Sequence, residues 1–97
     1  MAWTVELSGG AERQLRKLDR STAKRLATFL QRLVAETNDP RERGKALTGP
    51  LAGLWRYRVG DYRLICELVD ERLVVLVVRL GHRSQIYTER LSRGGPS

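Results

Sequence analysis

Trp55-Arg-Tyr-Arg-Val-Gly60-Asp-Tyr-Arg-Leu-Ile-Cys66 alternates bulky apolar with charged or small residues on either side of a Gly-Asp pair. A period of two marks a half-buried strand, and a glycine that can take positive φ in a two-residue connection makes the whole stretch a tight hairpin. With Gly60 and Asp61 as the loop, Val59 falls opposite Tyr62, Arg58 opposite Arg63, Tyr57 opposite Leu64, Arg56 opposite Ile65, and Trp55 opposite Cys66. Trp55, Tyr57, Val59, Tyr62, Leu64 and Cys66 then line a face suited to packing against helices, while Arg56, Arg58 and Arg63 share the other. Like charges set opposite one another cost a fraction of a kcal/mol up to about 1 kcal/mol. That cost is offset when the cluster holds an anion such as a phosphate. Arginine suits the task, because its planar fork grips phosphate oxygens bidentately and stacks on bases.

Working outward, Trp3, Val5 and Leu7 alternate with Thr4 and Glu6, which predicts a first strand over Ala2–Leu7. Ala11, Leu15 and Leu18 follow at helical spacing with Arg13, Arg16 and Lys17 between them, and Ser8 stands where an N-cap belongs. Ala23, Leu26, Ala27, Leu30, Leu33 and Val34 form the longest helical stripe, capped by Asp19 and ending near Asn38 ahead of Pro40. Residues 39–53, with Pro40, Gly44, Gly49, Pro50 and Gly53, read as a long ordered loop, although Leu47 and Leu51 make its middle too apolar for a simple linker. Beyond the hairpin, a turn at Asp70-Glu71-Arg72 leads into the apolar run Leu73–Leu80, a central strand that Gly81 is expected to end. Ser84–Leu91 has room for one or two helical turns, and residues 92–97 read as a frayed tail. The fold class predicted is α+β: one small domain over residues 1–91 in the order β-α-α-β-β-β(-α), with two N-terminal helices packed on a mainly antiparallel four-stranded sheet.

Ninety-seven residues fit one core. A single cysteine, Cys66, excludes an intramolecular disulfide framework and points to a reducing, cytoplasmic home. One histidine and one cysteine leave the nitrogen and sulfur ligands that zinc prefers nearly absent, so neither a metal site nor a cofactor is expected. The N-terminal Met-Ala-Trp-Thr-Val-Glu lacks the basic and apolar regions of an export signal, and no run approaches a membrane span, so no membrane partner is expected. Eighteen basic against eleven acidic side chains give a net charge of +7, spread along the chain, which favours a polyanionic partner.

Leu47-Thr-Gly-Pro-Leu-Ala-Gly-Leu-Trp-Arg-Tyr-Arg-Val-Gly-Asp-Tyr-Arg-Leu-Ile65, the apolar strand after it, and Gly81-His-Arg-Ser-Gln-Ile-Tyr87 together resemble the RelE-type toxins of the RelE/ParE superfamily. The likeness spans nearly the whole chain. It implies an endoribonuclease that cuts messenger RNA in the ribosomal A site, without a metal. It also implies neutralisation by a cognate RelB-like antitoxin, through which the complex binds operator DNA. Carried over residue by residue, the family's catalytic positions fall on Arg56, Arg58, Arg63, Arg83 and Tyr87, and RNA contacts are expected from Lys45 and His82. Family members carry lysine at one or both of the first two positions; arginine cannot give up its proton, so neither Arg56 nor Arg58 suits the role of base. The expected chemistry is attack of the 2′-hydroxyl on the adjacent phosphorus. Arg63 and Arg83 would neutralise the phosphate, Arg56 and Arg58 would orient the backbone, Tyr87 would stack or transfer a proton, and His82 would serve as a second proton carrier. A ParE-like gyrase inhibitor without nuclease activity, and a non-catalytic RNA-binding module, are the alternatives.

Overall fold

In the computed structural model, which describes residues 2–86, Ser8 and Asp19 each start a helix by capping it. The Ser8 hydroxyl accepts from Ala11 N at 3.1 Å, opening α1 (Gly9–Arg16). The Asp19 carboxylate accepts from Thr22 N at 3.2 Å, opening α2 (Arg20–Glu36). Each side chain satisfies a backbone N–H that has no intrahelical partner. α2 stops at Glu36, two residues short of Asn38, because Thr37 turns extended and its hydroxyl donates to the Leu33 carbonyl at 2.6 Å.

Among the described residues the sheet has five strands, one more than expected: β1 (Thr4–Leu7), β2 (Lys45–Ala46), β3 (Trp55–Val59), β4 (Tyr62–Val69) and β5 (Val74–His82), in the spatial order β1-β5-β4-β3-β2. β1 (Thr4–Leu7) runs parallel to β5 (Val74–His82), and every other pairing is antiparallel. The additional strand, β2 (Lys45–Ala46), lies inside the stretch read as a loop and pairs with β3 (Trp55–Val59). Two residues between Gly44 and Leu47 carry no periodicity, so only the neighbouring edge of β3 reveals them as a strand. The hairpin joining β3 to β4 (Tyr62–Val69) has the expected register at all five pairs, with Gly60 at φ 59°.

Gly81 does not end the last strand: β5 continues through His82, because β4 begins at Tyr62 and offers backbone partners that far. Residues 83–86 then turn into helix. Tyr87, the rest of the expected C-terminal helix and the tail at 92–97 lie outside the described residues.

The core forms where α1 and α2 cover one face of the sheet. Leu26, Leu30 and Leu33 of α2 and Ala11 of α1 meet Tyr57, Leu64, Cys66, Val75, Val77 and Leu80, all buried. Trp55, Val59 and Tyr62 pack half-buried against the same cluster, so the apolar face derived from the hairpin is the face under the helices. No helix among the described residues is long and apolar enough to cross a membrane.

Candidate functional site

Strand pairing fixes which side chains share the face away from the helices, because residues directly opposite in a ladder point the same way. Lys45 lies opposite Arg56, Arg56 opposite Ile65, and Ile65 opposite Arg79, forming one row across β2, β3, β4 and β5. Four strands at the usual spacing of about 4.8 Å make this row roughly 14 Å wide. The next row toward the hairpin turn holds Arg58, Arg63 and Gly81. The structure therefore brings Arg56, Arg58, Arg63 and Lys45 onto one face.

Arg79 is the member that the sequence reading missed. It is the one charged residue in an apolar run, and strict alternation from Val75 and Val77 would turn it toward the helices. A β-bulge prevents this: Ile65 pairs with Arg79 while Cys66 pairs with Val77, leaving Val78 as the extra residue. The bulge shifts the alternation by one position and delivers Arg79 to the arginine face.

These side chains differ in environment. Arg58 is exposed, whereas Arg63 is only 7% exposed. Arg63 Nη1 donates to the Gly60 and Tyr62 carbonyls, both at 3.0 Å, and its Nε is buried without a hydrogen-bond partner. The guanidinium is thus tied to the turn of its own hairpin. Arg83 is exposed, and its backbone N–H donates to the Asp61 carbonyl at 2.8 Å, so the same two-residue turn anchors the chain as it leaves β5. His82 pairs with Tyr62, which places it by register with the helix-side residues, not with the arginines. Its ring meets Tyr62 edge-on at 5.6 Å, and its Nδ1 faces Ser84, 3.2 Å from the backbone N and 2.9 Å from Oγ.

The acidic side chains are largely committed elsewhere. Arg41 holds both Asp39 (3.1 Å) and Asp70 (2.6 Å), which raises its pKa further, Asp70 contributing most. Glu36 lies between Arg32 and Arg43, and Glu12 beside Arg16. Register puts Glu67 and Glu6 on the arginine face, but beside Leu76, beyond the Lys45–Arg79 row on the side away from the turn, and Glu6 pairs with Arg72 at 3.2 Å. Among the described residues no carboxylate pairs with Arg58, Arg63 or Arg83. Burial pushes the Cys66 thiol up to about 12 and the Tyr57 phenol higher still, so neither serves as a nucleophile or base near neutrality. The two rows nearest the turn thus present Lys45, Arg56, Arg58, Arg63 and Arg79, a set of cations whose chemistry suits an anion.

Similarity to known proteins extends along most of the chain. Residues 5–87 match the family described as ParE toxin of type II toxin-antitoxin system, parDE. Toxin RelG of Mycobacterium tuberculosis is 34% identical over 88 residues, covering 90% of this chain and 98% of the relative. The mRNA interferase toxin RelE of Escherichia coli is 30% identical over 96 residues, covering 96% and 98%. The toxin–antitoxin complex RelBE2 of M. tuberculosis contains a chain that superposes with a TM-score of 0.76 at 32% identity, covering 84% of this chain and 99% of that one. A five-stranded sheet under two helices, an arginine-lined outer face and matches along most of its length establish that the chain belongs to the RelE/ParE family of toxins of type II toxin–antitoxin systems.

Proposed function

We propose that this toxin is an endoribonuclease of the mRNA interferase type, cutting messenger RNA in the ribosomal A site in the cytoplasm and held inactive by a RelB-like antitoxin. The observation that carries the reading is the arginine face: Arg56, Arg58 and Arg63 with Lys45 and Arg79 on two adjacent rows. A row of guanidinium groups stabilises a phosphate whose charge builds as the 2′-hydroxyl attacks, and losing one such donor costs about 10²–10³ in rate. Arg63, fixed by two carbonyls, offers a charge already in place, so little reorganisation accompanies the reaction. Arg83 completes the phosphate grip from the far side of the turn, and Arg56 and Arg58 orient the RNA backbone. Tyr87 supplies the stacking or proton-transfer group. His82 reaches the RNA only at the end of β5, through Nε2.

The test is primer extension on translated messenger RNA after induction. Wild type gives new 5′ ends within coding sequence, and Arg58→Ala and Arg83→Ala, both exposed, lose them together with growth arrest while melting as wild type does. Full cutting by either variant removes the assignment. A second reading, inhibition of DNA gyrase without cutting, is favoured by the ParE description of the matched family. It requires growth arrest with intact messenger RNA and lost supercoiling activity.

A further inference from the structure

Leu47 and Leu51, the two leucines that made the 39–53 stretch too apolar for a linker, line a concavity of about 250 Å³ on the arginine face. Ile65 and Ile86, each 4% exposed, complete its walls, while Arg56 and Arg79 flank it. From this arrangement we infer that the concavity is a nucleobase subsite, taking one base of the RNA substrate beside the phosphate held by the arginines. The inference rests on the nuclease reading and extends it to where a base goes.

The size, lining and surroundings all favour this occupant. The volume lies below the roughly 300–1,000 Å³ of pockets for drug-sized ligands, which suits a single flat ring system. Aliphatic walls bury the faces of a base, and guanidinium planes stack on bases as well as pairing with phosphates. Thr48, also in the lining, caps the short 3₁₀ turn Gly49–Leu51 without a side-chain hydrogen bond, so its hydroxyl is available as donor or acceptor to a base edge. Among the described residues no carboxylate lines the space, which argues against a cation. The row geometry adds the connection: Arg56 is two residues from Arg58 on one strand face, about 7 Å, close to the span from a base to its neighbouring phosphate.

Methyl and amide NMR on the full chain tests the subsite independently of cleavage, with adenosine 5′-monophosphate, uridine 5′-monophosphate, ribose 5-phosphate and the trinucleotide ApUpG as probes. Both nucleotides are expected to shift the methyl signals of Leu47, Leu51, Ile65 and Ile86, while ribose 5-phosphate shifts only amides near the arginines. Leu51→Ala, a half-exposed loop change, should weaken nucleotide binding about tenfold, equivalent to about 1.4 kcal/mol, and leave ribose 5-phosphate binding unchanged. ApUpG should bind more tightly than either mononucleotide, because its phosphates reach the second arginine row. Ribose 5-phosphate moving the same methyls, nucleotides leaving them unmoved, or ApUpG binding no better than a mononucleotide each overturns the subsite. Cleavage of messenger RNA with silent methyls sinks the subsite alone, whereas shifted methyls with no cleavage sink the nuclease reading alone.

Discussion

Tyr57 shows how one side chain fixes the site from behind. It stands between Arg56 and Arg58 in β3, is 1% exposed, and donates its hydroxyl to the Pro40 carbonyl at 2.8 Å. The bond pins the loop after α2 to the strand that carries the arginines. Gly44 lies against the ring, where an added Cβ would meet ring carbons at 2.9 Å. Tyr57→Phe keeps the ring and removes the donor, at the cost of one hydrogen bond, about 0.5–1.5 kcal/mol. Urea unfolding should show this as a lower midpoint with an unchanged slope. The alternation in the sequence placed Tyr57 in the core, but its partner, 17 residues away in an irregular segment, is set by tertiary packing.

At the scale of elements, the caps and the hairpin turn are local devices and were legible in the sequence. Asp19 has its pKa lowered from 3.8 to about 2, chiefly by the Ser21 hydroxyl and then by Thr22. A carboxyl depressed by folding adds stability above its unfolded pKa and loses it as pH falls through the folded value. Wild type should therefore exceed Asp19→Asn in melting temperature by a constant margin above pH about 4, and the margin should shrink between pH about 4 and about 2. The turn gives a second prediction. Gly60 has φ 59°, and a Cβ there would come 2.7 Å from Arg25 Nη2, the flexible end of an exposed side chain that can swing aside. Gly60→Ala should then cost mainly the left-handed backbone, about 1–2 kcal/mol, read in the same unfolding assay. The β-bulge is the counterexample: nothing local in Val77-Val78-Arg79 marks it, and it arises because β5 must satisfy β4 and the helices together.

For the whole molecule, the decisive property is that basic residues from four strands converge on one face while the helices cover the other. Binding of single-stranded RNA should weaken with salt, log K falling against log salt by about 0.7 for each phosphate contact. Arg58→Ala should reduce that slope by about 0.7, measured by fluorescence anisotropy across a salt series. An unchanged slope would place Arg58 off the RNA path. This face could be derived in part before any coordinates, because the hairpin register alone grouped Arg56, Arg58 and Arg63. Lys45 and Arg79 joined them only through neighbouring strands, and the same register removed His82 to the Tyr62 side.

The sequence by itself determined the hairpin, its two faces, the helix starts and the net positive charge, because each follows from contacts within a few residues or from composition. The tertiary structure decided the fifth strand, the bulge that turns Arg79 outward, the burial of Arg63 against its own turn, and the concavity closed by Leu47, Leu51 and Ile86. These depend on backbone partners and packing surfaces contributed by residues far apart in the chain, and a pattern read along one strand contains no information about which neighbour it will meet.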